Sequence, residues 1–273
     1  MNFLICAIIK NENLYLREWI DYHLNLGFEK IILYDNNDVN GEVPNMIVQD
    51  YINKNVVEVI NYRGFKTNDK FWGVQSAAYN DCLQKYKNTD NWIAFIDVDE
   101  FIFLEKHKKI QYLFENSKYN NYESVVISWL NYGDNGQLYY ENKPVLERFT
   151  TVAKEFPYIE GYNYNTLVKS ITKSTDNTSF GYANAHCAST NCCNSLGNHV
   201  AMDNLCNKLG SHFSENIYIK HFYTKSLTEF LYRKIQNPTF FNVSVALYKA
   251  GNEWTEEHEK VYQNFLKQNN IKQ

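Results

Sequence analysis

An α/β architecture, with a doubly wound and mainly parallel sheet flanked by helices, is predicted by three observations on the first 105 residues. Residues 3 to 9 form a continuous apolar run closed by Lys10-Asn11-Glu12, the pattern of a strand covered on both faces. Runs of this kind alternate with segments of helical periodicity in four successive units. Each run also ends in polar residues, so one edge of the sheet collects groups able to hold a ligand.

Leu14, Leu16, Trp19, Ile20, His23, Leu24 and Leu26 recur at helical spacing and stop at Gly27, which predicts a first helix with a glycine C-cap. A second strand over 30–34 runs into Asp35-Asn36-Asn37-Asp38. A helix over 43–51, a strand over 56–62, a helix over 73–86 and a strand over 92–96 complete the nucleotide-binding half, 1–105. Beyond Glu105 the pattern loosens. A helix near 108–117, a strand over 124–129 and the loop 131–136 lead into irregular polar and aromatic sequence up to about 215. A strand over 217–222, an amphipathic helix over 226–235 and a polar helix over 256–267 close the chain. No repeat or Pro-rich linker interrupts it, so one domain over 1–273 is expected, with 106–273 as the looser, substrate-binding half.

Composition removes several classes. The 273 residues are 44% hydrophobic and 21% charged, as in a globular protein. A net charge of -4 with scattered Lys and Arg excludes a nucleic-acid partner. The opening apolar run is too short for a secretory signal and lacks a basic start and a cleavage site. No run approaches the ~20 apolar residues of a membrane span, so the expected location is cytoplasmic, with at most peripheral association at the inner face of the membrane. Six cysteines read as reduced thiols, and His186-Cys187, Cys192-Cys193 and Cys206 lack zinc-knuckle spacing. The 22 Tyr and 17 Phe suit carbohydrate or nucleobase stacking.

The chemistry concentrates in Asp97-Val98-Asp99-Glu100, three carboxylates directly after an apolar strand and inside apolar surroundings. Uncompensated charge there is expensive, and a hard divalent cation, Mn²⁺ or Mg²⁺, removes the expense while leaving coordination sites for diphosphate oxygens. On strand alternation, Asp97 and Asp99 reach a common site. Lys10, Asn11 and Glu12, then Asp35 and Asn36, then Tyr62 and Arg63 end successive strands and face one sheet edge, where they can bind base and ribose. Gln75 opens the helix over 73–86 within reach of a nucleotide, with Asp81 in support. Lys225 offers a cation for a departing diphosphate.

The sequence resembles glycosyltransferase family 92 and the neighbouring family 2-like bacterial enzymes of the GT-A fold. The resemblance runs through Lys10-Asn11-Glu12, Tyr34-Asp35-Asn36, Gln75, Tyr79-Asn80-Asp81-Cys82-Leu83 and Phe95 to Ile102. It continues in Ser128-Trp129, Gly133, Gly136, Arg148-Phe149, Lys169-Ser170-Ile171, His186 and His221 to Ser226, and is poor over 174–210. It implies a UDP-sugar donor in the N-terminal half, with Asp97 and Asp99 coordinating the cation. His221 resembles the distal GT-A histidine that completes the metal shell, and His186 is expected near donor or acceptor.

The resemblance also favours inversion, which needs a carboxylate base at the acceptor hydroxyl. Asp134, Asp203 and Glu100 are the candidates, with Glu100 also able to orient the metal ligands. The expected activity is transfer of a hexose, galactose or glucose, to a glycan or lipid-linked saccharide in bacterial surface polysaccharide or lipopolysaccharide synthesis. Two other readings stand beside it: a noncatalytic carbohydrate-binding protein of the same fold, and a sugar nucleotidyltransferase.

Overall fold

The computed structural model describes residues 1–67, 73–87, 89–115, 117–154, 167–181, 185–200, 216–236 and 240–271. The chain divides into two compact units: Met1–Trp129 with Thr166–Ile219, and Leu130–Asn165 with Lys220–Gln273. The division is discontinuous, unlike the sequential halves 1–105 and 106–273 that the pattern suggested.

In the first unit, β1 (Asn2–Ile9), β2 (Lys30–Asp35), β3 (Val57–Asn61) and β4 (Asn91–Phe95) form a parallel block with α1 (Asn13–Leu26), α2 (Asn45–Asn53) and α3 (Gly73–Lys85) between them. The further elements are β5 (Glu100–Leu104), α4 (Ile110–Phe114), β6 (Ser124–Asn131), β7 (Val168–Lys173), β8 (Cys192–Cys193) and β9 (Ile217–His221). The strand order is β3-β2-β1-β4-β7-β6-β9-β5, and β8 pairs with β6. β7 runs antiparallel to both β4 and β6, so the parallel block ends at β4.

Pairing β1 with β4 puts Leu4 beside Ile93 and Cys6 beside Phe95. These residues pack with Ala78, Tyr79, Cys82 and Leu83 of α3. The alternate residues Phe3 and Trp92 point the other way, where both rings meet Phe114 of α4. Helices therefore cover both faces, which is why β1 and β4 read as unbroken apolar runs.

Several strands and helices, α5 (Val145–Arg148) among them, were not foreseen. β5 is hidden because the run 92–103 looks continuous, and a tight turn at 97–100 divides it. β7 and β8 lie in sequence that reads as irregular, and α7 (Phe241–Gly251) is rich in residues of modest helix propensity. In the second unit, α5 (Val145–Arg148) precedes α6 (Leu227–Lys234), and α6 packs with α7 and α8 (Glu256–Gln268) around Phe230, Val245, Tyr248 and Phe265. Ser226 and Glu229 close a capping box on α6.

Cys6, Cys82, Cys187, Cys192 and Cys193 are free and buried, and Cys206 lies outside the described residues. Among the described residues no helix is long and apolar enough to cross a membrane.

Gly27 ends α1 at φ 105°, where its N–H meets the Leu24 carbonyl and that of Phe28 meets His23. A Cβ there would lie 2.4 Å from Gln111 Oε1. Gly27→Ala is expected to cost about 1–2 kcal/mol, from left-handed strain and loss of the Gln111 contact, read as a lower urea midpoint.

Candidate functional site

The acidic segment is a turn rather than an extended strand. Glu100 N–H donates to the Asp97 carbonyl at 3.0 Å, and Asp97 N–H donates to Glu100 Oε2 at 2.9 Å. Val98 and Asp99 are the two central residues of this link from β4 to β5. Strand alternation therefore does not relate Asp97 to Asp99; the turn does.

Asp97 is held from two sides. Its Oδ1 accepts from Gln75 Nε2 at 2.9 Å and Tyr79 Oη at 3.3 Å, both carried by α3. Its Oδ2 accepts from Lys169 Nζ at 2.7 Å. The same ammonium lies 3.6 Å from Glu100 Oε1, which has no hydrogen-bond partner among the described residues. Burial pushes the Glu100 carboxyl well above its ordinary value, and the charges of Asp97 and Asp99 add to the effect while Lys169 opposes it. Burial works against charge on Lys169, but Asp97 and Glu100 hold it above the ordinary lysine value.

A second set of contacts fixes β5 behind the turn. Trp19 Nε1 donates to the Glu100 carbonyl at 2.8 Å and Tyr22 Oη to the Ile102 carbonyl at 2.8 Å. Ile102 N–H donates to His23 Nε2 at 3.3 Å, while His23 Nδ1–H donates to the Trp19 carbonyl at 2.8 Å. Those two bonds require the neutral imidazole, and burial lowers its pKa to about 3. The sequence marked His23 as part of the apolar face of α1 but gave no sign that it reads the backbone of β5.

The residues expected to bind base and ribose meet at the carboxyl ends of β1, β2 and β3, largely through one another. Asp35 Oδ1 accepts from Asn37 N–H at 3.0 Å and from Nδ2 at 2.6 Å, and Oδ2 from Arg63 at 2.8 Å. Arg63 also donates to the carbonyls of Asp38, Val39, Gly41 and Glu42, strapping that loop down. Asn36 Nδ2 donates to the Tyr62 and Phe65 carbonyls, and the Tyr62 ring stands edge-on to Tyr34. Tyr34 Oη in turn donates to Asp81. Asn11, at φ 57°, donates its N–H to Asn37, while Lys10 pairs with Asp38 in solvent. Glu12 is the N-cap residue of α1. His186 Nδ1–H donates to the Val168 carbonyl at 2.7 Å against the Trp129 ring, and burial, then the Lys169 charge, lowers its pKa to about 4.

His221, Lys225 and Asp134 belong to the second unit. His221 Nδ1–H donates to Asn131 Oδ1 at 2.8 Å, which fixes its tautomer. Lys225 is buried and adopts φ 49°. Asp134 is buried and tied to its own unit: Oδ1 accepts from Gly136 N–H at 2.8 Å, and Oδ2 from Tyr248 Oη at 2.5 Å and His258 Nε2 at 3.2 Å. Its N–H reaches Asn252 Oδ1 at 2.7 Å, an approach that leaves no room for a Cβ on Gly133. Asp203 lies outside the described residues. Among the described residues no group of three His, Cys, Asp or Glu side chains converges as a metal cage.

The layered α/β unit with an acidic turn after β4 is of the GT-A type. The chain belongs to glycosyltransferase family 92, whose model matches residues 2–272. A family 92 protein of Ricinus communis is 31% identical over 115 residues, 41% of this chain and 18% of that protein. A galactan β-1,4-galactosyltransferase of Arabidopsis thaliana is 34% identical over 91 residues, 33% of this chain and 18% of that protein. The matches thus span about a fifth of these relatives' length. Among solved structures, S. aureus TarS residues 1–349 aligns with a TM-score of 0.41 and 15% identity, covering 97% of this chain and 71% of that chain.

Two outcomes test the geometry. As pH falls, the unfolded chain protonates His23 near 6.5 while the folded chain holds it neutral down to about 3. Stability is therefore full above about 6.5 and is lost below it, by up to about 1.4 kcal/mol per pH unit. His23→Gln should flatten that acid-side loss in urea midpoints taken at several pH values. Asp134→Ala leaves the Tyr248 hydroxyl and Gly136 N–H buried without an acceptor, and is expected to cost about 2–4 kcal/mol in the same assay.

Proposed function

We propose that this chain is a metal-dependent hexosyltransferase that moves a sugar from a UDP-sugar to a glycan hydroxyl with inversion. The observation that carries the reading is the Asp97–Glu100 turn, set at the carboxyl end of β4 and gripped by Gln75 and Tyr79 of α3. In open α/β sheets that edge is where ligands are held. Family membership adds to the reading, and relatives named as galactan galactosyltransferases favour galactose over glucose.

The cation is the part of the reading that rests most on donor chemistry. Asp97 and Asp99 offer the hard oxygen donors that Mn²⁺ and Mg²⁺ take, and these ions accept one or two carboxylates together with phosphate oxygens. Asp97 fits this role, because a carboxylate has about four acceptor positions and Gln75, Tyr79 and Lys169 fill three of them. The resemblance gives His221, a neutral imidazole, as a further candidate ligand. When bound, the ion would stabilise the negative charge that builds on the leaving diphosphate.

The chain's own residues have separable roles in this scheme. Gln75 orients Asp97, Glu100 fixes the turn, and Lys10 to Glu12, Asp35, Asn36, Tyr62, Arg63 and His186 shape the donor side. Lys225 supplies positive charge for the diphosphate. Asp134, Glu100 and Asp203 are the candidates for the acceptor base. The acceptor is a glycan or lipid-linked saccharide of a surface polysaccharide, reached at the cytoplasmic face of a membrane.

The test is calorimetric titration of a panel of nucleotide sugars with and without Mn²⁺. A UDP-hexose should bind at least about tenfold more tightly with the ion, and Asp99→Ala should remove that gain. The absence of metal-dependent binding for every nucleotide sugar would reject the reading.

A further inference from the structure

The acidic turn is not left to an incoming cation for neutralisation, because the sheet has placed a permanent positive charge beneath it. β7 pairs antiparallel with β4 so that Phe95 faces Ser170, and Lys169 is next in register, opposite the strand end that enters the turn. Its side chain is only 2% exposed, and that of Glu100 not at all, whereas Asp97 is 35% exposed. The charges are therefore ordered from inside to outside: ammonium and Glu100 carboxyl below, the accessible Asp97 carboxylate above.

We propose that Lys169 is the positioning residue of this site: its buried ammonium locks Asp97 in place and lowers the turn's negative charge, so that the site receives a nucleotide diphosphate and its cation together. This rests on the nucleotide-sugar reading above.

Stability alone is a poor reason for such a lysine. A buried ion pair roughly breaks even against well-packed apolar residues, because desolvating the two charges offsets their attraction. What an apolar residue at 169 could not do is hold Asp97 Oδ2 while α3 holds Oδ1. With both oxygens anchored, the Asp97 carboxylate has one orientation before any ligand arrives, and little has to be ordered on binding. The charge matters equally. Asp97, Asp99 and Glu100 bring three formal negative charges, and Lys169 returns one. Without it, the turn attracts a bare divalent ion more strongly and repels a diphosphate more strongly, so the two affinities move in opposite directions.

That opposition is what the experiment reads. Lys169→Met is purified in the full chain, its folding is checked by thermal melting, and two titrations are run. In one, Mn²⁺ alone is titrated and followed by electron paramagnetic resonance. In the other, UDP is titrated by calorimetry in EDTA. Relative to wild type, Mn²⁺ should bind about tenfold more tightly and UDP about tenfold more weakly, the size expected for one unit charge at a partly exposed site. Lys169→Arg, which keeps the charge, should stay within about threefold of wild type in both. Lys169→Gln carries the same comparison if the methionine variant does not fold.

Loss of both affinities in a folded Lys169→Met, or no change in either, would make Lys169 a structural brace and overturn the assignment while wild type still binds. Wild type that binds neither Mn²⁺ nor UDP would instead overturn the nucleotide-sugar reading, and this assignment with it.

Discussion

A lysine ammonium sealed under a turn of acids is the constraint around which the first unit is arranged. Lys169 is 1% exposed, and an ammonium stripped of water at that depth persists only where carboxylates meet it. Asp97 and Glu100 do so, which obliges the chain to turn sharply between β4 and β5 and to bring β7 against β4. The parallel block stops there because the counter-charge comes from an antiparallel neighbour. Trp19, Tyr22 and His23 then hold the β5 backbone with three side chains of α1, so the turn is gripped from the sheet and from a helix.

The second unit uses a carboxylate in a different way. Asp134 collects three hydrogen bonds, from a hydroxyl, an imidazole and a backbone amide. An aspartate on a glycine-flanked polar loop has the sequence profile of a base reaching for a substrate. Here its hydrogen bonds join the loop to α7 and α8.

Much of the fold was legible because it depends on periodicity. The parallel strands, the three crossover helices and the Gly27 cap follow from apolar spacing and one left-handed glycine. The acidic cluster was legible too, as charge where charge is costly. What stayed hidden depends on distant partners. Lys169 sits in Val-Lys-Ser-Ile-Thr-Lys, inside sequence that reads as irregular, and its acceptor is 72 residues away. Arg63 and Asp35 appeared as ligand groups because strand ends suggest binding, and the sequence could not show that they hold each other. β5 was lost because a turn made of Val98 and Asp99 lacks the glycine or proline that usually marks one.

The discontinuity of the first unit gives this arrangement an order in time. During synthesis the chain makes β4 and the acidic turn, leaves the unit at Trp129, and returns only at Thr166 with the strand that carries Lys169. Until then β4, paired with β1 on one side only, is an edge strand leading into three carboxylates that lack their internal counter-charge. Like charge at an open edge discourages pairing with another chain. The acids later neutralised by Lys169 are thus placed to guard the nascent sheet until its own next strand arrives.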